Sequence, residues 1–259
     1  MNKYEFLEIL QEQTTHFNDA VELSNGDWIV KGFIDVSKNI YTISVDTKVI
    51  SKVMELILFP EFVKFAEKNN LQLELARQQN FYPDISFKDA DDNWFAVDLK
   101  TTVRQSANRI NSMTLGAFTG YFRERTSTKN CNIPYGKYKG HFVLGAVYSQ
   151  VEGINERVIY KVEDLQNIAS VIKDFQFFAQ EKYKIASETP GSGNTKNIGS
   201  IKDIGKLLDG QGPFTELGEE VFDDYWMYYL TTDMAKAAEL SKPPYNNLRT
   251  YKKYKEIGS

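Results

Sequence analysis

Two aspartates and a lysine stand close together in Phe81-Tyr82-Pro83-Asp84-Ile85-Ser86-Phe87 and in Trp94-Phe95-Ala96-Val97-Asp98-Leu99-Lys100-Thr101-Thr102. Apolar residues hold the odd positions of 85–87 and 95–99, so strand alternation sends them to a core and sends Asp84, Asp98 and Lys100 to the opposite face. The polar turn 88–93 joins the two segments as an antiparallel hairpin. A register centred on it sets Phe87 opposite Phe95 and Asp84 opposite Asp98, with Cβ atoms ~5 Å apart. Carboxylates that close repel unless a proton or cation lies between them, and oxygen-only ligands suit magnesium. Lys100 follows about 7 Å along the same face, within reach of a bound phosphate or an attacking water. Such a group could carry out metal-assisted phosphodiester cleavage.

The order Pro-Asp, gap, Asp-x-Lys is the pattern for which the PD-(D/E)xK nuclease superfamily is named. Alone it is weak, because solvated edge strands also carry it. More specific are Asp46-Thr47-Lys48-Val49 leading into Met54-Glu55-Leu56, then Gln78-Gln79-Asn80, Thr114-Leu115-Gly116, and Gly191-Ser192-Gly193-Asn194-Thr195-Lys196-Asn197-Ile198-Gly199-Ser200. With Asp224-Tyr225-Trp226 and Tyr245-Asn246-Asn247 as late anchors, these blocks resemble the EcoRV family of type II restriction endonucleases in order and spacing. The resemblance runs from about residue 30 to Asn247.

That resemblance implies a restriction-endonuclease-like α/β (α+β) fold, a mixed sheet flanked by helices, in one domain over 1–259. Within it, 28–44 would supply dimerisation strands, 45–148 the catalytic core and 187–200 the DNA recognition loop. It implies Mg²⁺, with Mn²⁺ as substitute, held by Asp84, Asp98 and the Leu99 carbonyl, and Lys100 orienting or deprotonating the water. Glu55 would be an auxiliary carboxylate for a second metal, and Lys48 a phosphate neighbour. Gly191, Ser192, Gly193, Asn194 and Thr195 would read the major groove, and Gln78, Gln79 and Asn80 would lie along the minor groove. Thr47, Thr102 and Lys129 complete the implied DNA-binding set. The implied substrate is double-stranded DNA, cut at GATATC to blunt ends with 5′-phosphate and 3′-hydroxyl termini. A homodimer follows from the two-fold symmetry of a palindrome. A cognate methyltransferase of the same system, not physically bound, and a bacterial cytoplasmic location complete the implied setting. A nuclease of the same superfamily with another target or a repair role, and a non-catalytic DNA-binding module, remain alternatives.

Several residues have a plainer reading. On a helical wheel Val49, Ile50, Val53, Met54 and Ile57 form an apolar side and Glu55 falls nearly opposite, where it could simply pair with Lys52. Residues 78–80 could be a polar turn, and 187–200, rich in Gly, Ser, Asn and Thr, a linker. His141 beside an apolar run reads as a core histidine.

At 259 residues and 42% hydrophobic, the chain is long enough for a substantial core. The single cysteine, Cys131, precludes an intrachain disulfide and suits a reducing compartment. No signal-peptide pattern or membrane-spanning apolar run is evident, so a soluble protein without membrane attachment is expected. A net charge of −4 is unfavourable for binding phosphates, but the charge is uneven. Residues 100–139 hold eight basic residues, among them Arg104, Arg123 and Arg125, against one acid, Glu124, and the tail after Ser241 is also basic. That asymmetry fits a basic cleft in an acidic body.

The elements that would position these groups are helices over 4–16, 48–59 (ended before Pro60) and 61–69, and strands over 28–35 and 39–44. After the hairpin come loop and helix over 101–125, a buried strand at 141–148 and another strand at 157–160. A helix near 165–173, a strand or helix at 175–184 and a helix over 215–230 capped by Thr215 follow.

Overall fold

The computed structural model describes residues 1–155, 158–191 and 195–256. The chain opens with two helices, α1 (Lys3–Glu12) and α2 (Thr14–Val21), where one was expected. Asn2 caps α1 by accepting from the amides of Tyr4 and Glu5, and the Glu5 carboxylate accepts from the Asn2 amide in return. Two short strands, β1 (Gly32–Ile34) and β2 (Asn39–Thr42), follow within the expected span.

Helix α3 (Thr47–Lys68) starts at Asp46, whose side chain accepts from the amides of Lys48 and Val49. It does not stop at Pro60, as the proline rule predicts. Met54 and Leu58 before the proline and Phe62, Phe65 and Ala66 after it are all buried. Burying that continuous stripe offsets the roughly 3 kcal/mol that an interior proline costs.

Next come β3 (Gln72–Leu75), β4 (Ile85–Lys88) and β5 (Trp94–Ser106). Phe87 lies opposite Phe95 and Ile85 opposite Val97, the register read from the sequence. Strand β5 extends through Thr101, Thr102 and Val103, β-branched residues that favour extension. The helix expected before 125 is replaced by β6 (Arg109–Ile110), β7 (Thr114–Ala117) and a single 3₁₀ turn at Gly120–Phe122. Strands β8 (Tyr138–Gln150), β9 (Ile159–Lys161) and β10 (Ile172–Glu181) follow. The helix expected near 165–173 is a 3₁₀ segment, Val162–Asn167, ahead of β10.

A one-turn helix, α4 (Lys182–Ile185), leads into β11 (Ala186–Pro190) and β12 (Asn197–Ser200), so both ends of the expected 187–200 loop are strands. Helices α5 (Ile204–Asp209), α6 (Glu219–Tyr228), α7 (Thr232–Ala237) and α8 (Leu248–Tyr254) close the chain. Helix α6 begins after Gly218, at φ +88°, rather than at Thr215, whose hydroxyl donates to the Gly210 carbonyl instead of capping.

The main sheet has the order β10-β8-β5-β4-β3, with β6 added beside β5. Strands β5 and β8 are parallel and the other pairs antiparallel, giving the mixed sheet flanked by helices that the resemblance implies. The core against α1, α2 and α3 is apolar, with Phe6 stacked on Phe95 at 4.4 Å between centroids. The opposite face of the sheet is also covered, by a second core rich in tyrosine and tryptophan. The face opposite the apolar one, to which Asp84, Asp98 and Lys100 were expected to point, is therefore largely interior. Two smaller sheets, β1-β2-β9 and β11-β12-β7, stand apart from the main one. Among the described residues no helix is long and apolar enough to cross a membrane.

Candidate active site

Asp84 sits one residue before β4, and Asp98 and Lys100 sit on β5, so the hairpin register brings the three together. Lys100 Nζ lies 2.9 Å from Asp98 Oδ2 and 3.6 Å from Asp84 Oδ2. The Leu99 amide donates to Asp84 Oδ2 at 2.8 Å, which locks that carboxylate against the backbone of β5. Asp98 is only 4% exposed, whereas Asp84 and Lys100 open onto a cleft of about 510 Å³. Thr47, Lys48, Glu55, Gln79, Leu99 and Thr102 also line that cleft.

The two carboxylates differ electrostatically. Burial pushes Asp84 up to about 6, Lys100 opposes that rise, and the negative charge of Asp98 reinforces it. Burial also works against ionised Asp98, but Lys100 and then Lys182 outweigh it and hold this group below its usual range. Asp98 is therefore the ionised member of the pair and Asp84 the member that takes up a proton. Burial alone would depress Lys100, yet its two aspartates raise it above an ordinary lysine.

Glu55 meets both of its sequence readings at once. It pairs with Lys52 one turn earlier, and the pair lies on the wall of the cleft. Gln78 and Gln79 line an adjoining cavity of about 440 Å³, whose apolar wall includes Leu56, Phe59 and Leu75. Residues 78–80 also form a turn, closed by the Phe81 amide donating to the Gln78 carbonyl, with Asn80 exposed within it. Thr102 is buried and donates its hydroxyl to the Asn111 carbonyl. Lys129 is exposed and does not line the cleft.

The quoted blocks Thr114–Gly116 and 197–200 meet in space, because β7 pairs with β12. Gly191 and Gly199 face each other across the β11–β12 hairpin, and a Cβ on Gly199 would lie 2.8 Å from the Gly191 Cα. Close packing within the chain is thus one reason for glycine there. Thr195 is half-buried, while Ser192, Gly193 and Asn194 lie outside the described residues.

The basic stretch 100–139 is not all available for a ligand. Arg104 donates to Ser149 Oγ, the Asp174 carbonyl and Gln176 Oε1. Arg123 donates to the carbonyls of Phe118 and Tyr229, and Arg125 pairs with Asp223 at 2.7 Å. Arg123 and Arg125 thus brace the second core and Arg104 ties β5 to β8 and to the start of β10, whereas Arg109, Lys137 and Lys139 are exposed. In the tail, Lys255 is held by Asp224.

Behind Asp98 lies a polar-aromatic floor that sequence reasoning missed. Tyr82 shares a 2.8 Å hydrogen bond with His141 Nδ1, and His141 stacks on Tyr135 at 3.8 Å. Burial holds His141 neutral, far below its usual pKa. Lys182, 1% exposed, places its ammonium 4.6 Å from the Tyr82 ring centre and 5.5 Å from that of Tyr135. The one signal in the sequence is a Gln-Glu-Lys interruption of the apolar run 175–186.

Comparison with known proteins accords with this geometry. A family model described as Restriction endonuclease EcoRV matches residues 24–256. The type II restriction enzyme EcoRV of Escherichia coli is 36% identical over 240 residues, which covers 91% of this chain and 94% of that protein.

Proposed function

Because the chain belongs to the EcoRV restriction endonuclease family, and so is a type II restriction endonuclease and phosphodiester hydrolase, we propose that it cuts double-stranded DNA at GATATC to blunt ends, with Asp84, Asp98 and Lys100 as the cleavage centre and Mg²⁺ as cofactor. The observation that carries this reading is the contact of Lys100 with both aspartates at the floor of an open cleft.

The donor set fits a hard divalent ion. Two carboxylates and the Leu99 carbonyl offer oxygen alone, and magnesium is commonly held by one or two carboxylates together with substrate phosphate and water. Among the described residues no three His, Cys, Asp or Glu side chains converge as a metal cluster. Mn²⁺, also an oxygen-seeking ion, is expected to substitute. When bound, the ion supplies positive charge against the phosphate oxygens on which negative charge develops.

Lys100, held above an ordinary lysine by its two aspartates in the metal-free protein, is assigned to orient or deprotonate the water and to stabilise developing charge. In-line attack by that water leaves a 5′-phosphate and a 3′-hydroxyl. Glu55 and Lys48 line the same cleft and are assigned as auxiliary carboxylate and phosphate neighbour. The segment between β11 and β12, with Asn194 at its centre, is assigned to base reading in the major groove, and Gln78 and Gln79 to the minor-groove side.

A homodimer is part of the proposal. Phe33, Tyr41 and Ile159 are mutually paired across β1, β2 and β9, and all three are exposed, Ile159 by 60%. A contiguous apolar row of this kind on a small sheet suits a second copy of the chain across a two-fold axis.

The test is incubation of the purified protein with Mg²⁺ and plasmid DNA, followed by sequencing of the product ends. Blunt ends within GATATC support the full reading. Ends at another sequence keep the nuclease and overturn the target, and intact plasmid overturns the assigned centre.

A further inference from the structure

Among the described residues, Lys182 is a buried ammonium without a hydrogen-bond partner. It forms no direct ion pair with Asp98, although the two interact electrostatically through the protein interior. Its neighbours are the rings of Tyr82 and Tyr135, and a Cβ on Gly116 would lie 3.3 Å from its Nζ. Gly116, at φ +92°, belongs to β7, the partner strand of β12. Lys182 itself opens α4, the single turn that leads into β11. The ammonium thus stands between the segment that carries Asp84 and the sheet that carries the hairpin assigned to recognition.

Burying an unpaired cation is expensive, and facing aromatic rings offset only part of that cost. Burial pulls Lys182 down to about 8, with Asp98 opposing the fall. Nearby Lys100 already neutralises Asp98 by direct contact, so the fold does not need a second cation there. A costly charge that structure does not require, set beside reacting groups, is a mark of function.

We propose that Lys182 is a positioning residue of the cleavage site, a buried positive charge behind Asp98 that sets the electrostatic balance of the metal-holding face and is held in place by the helical turn leading into the recognition hairpin. The inference rests on the cleavage centre assigned above. A positive charge in a low-dielectric floor opposes binding of a free dication, yet it stabilises the negative charge that builds on the phosphate as the bond breaks.

The test is Lys182→Met, similar in length and neutral, compared with the parent in three measurements. Thermal unfolding of the metal-free protein is expected at an equal or higher temperature, because a costly buried charge is gone. Calorimetric titration with Ca²⁺ alone, without DNA, is expected to show affinity raised about threefold or more. Single-turnover cleavage at saturating DNA and Mg²⁺ is expected to slow by about tenfold, with DNA affinity changed by less than about threefold. A merely structural lysine would lower the unfolding temperature and leave the calcium affinity alone. Failure to fold, a lowered unfolding temperature, an unchanged calcium affinity or an unslowed cleavage step overturns the proposal. A parent protein that does not cut DNA overturns the underlying centre, whereas a cutting parent matched by Lys182→Met overturns this inference alone.

Discussion

Alternate residues of β5 face two different interiors. Phe95, Val97 and Leu99 enter a core of phenylalanine and aliphatic side chains from α1, α2 and α3. Ala96, Asp98 and Lys100 face tyrosines, a neutral histidine and a buried lysine, with Lys100 at the edge of the cleft. One strand thereby carries the stabilising load on one side and concentrated charge on the other. The dry face makes the polar face affordable: desolvated carboxylates and ammonium groups cost free energy that the apolar core offsets. The same division lets the groups proposed to act be held rigidly, since the backbone between them is fixed by packing on its far side.

That division predicts separable losses. Replacing Lys100 by Met should slow cleavage on the order of 10³-fold while leaving a cooperatively folded protein, read by single-turnover kinetics and thermal unfolding. Phe95→Ala should do the reverse, costing ~3–5 kcal/mol in urea unfolding while the fraction that stays folded still cuts. A Phe95→Ala protein with parental stability would erase the distinction between the faces. Sequence discrimination should belong to neither face of β5. Asn194→Ala should therefore weaken preference for the cognate site by about 1–3 kcal/mol per lost bidentate contact, measured against singly mismatched duplexes.

The pH dependence sharpens the contrast within the polar face. Asp84 is pushed up to about 6 in the metal-free protein, so below that pH a cation must displace its proton. Ca²⁺ affinity should fall by about tenfold per pH unit below 6 and level off above it, as read by titration calorimetry. The linkage to stability runs the opposite way. A carboxyl raised in the folded state favours folding while protonated, and that contribution is lost as pH rises through about 6. Asp98, held low, should not titrate in this window.

The β4–β5 register was legible because two alternating strands flank a polar turn, and only one centred pairing puts every phenylalanine inside. The approach of Asp84, Asp98 and Lys100, the group proposed as the cleavage centre, followed from that register. Helix α3 was not legible, since the proline rule is local and the stripe from Met54 to Ala66 is a tertiary fact. The stretch after Thr101 misled for a related reason: it extends as strand because β8 pairs with β5 as far as Val103 and β6 pairs with Arg104 and Ser106 beyond it. Charge counting overstated the basic surface, because Arg104, Arg123 and Arg125 turn inward to carbonyls and an aspartate. The role of Lys182 was hidden for the deepest reason, beyond the break that Gln180-Glu181-Lys182 makes in an apolar run. Nothing in its local sequence says that Tyr82, a hundred positions earlier, will fold over its ammonium.

The most direct test of the two-faced strand is single-turnover cleavage by Asp98→Ala, with DNA binding measured alongside in Ca²⁺. The account predicts that cutting is abolished while site-specific binding persists, because the residue removed belongs to the reacting face and not to the reading hairpin. An Asp98→Ala protein that cuts at the parental rate would contradict it and move the chemistry elsewhere in the molecule.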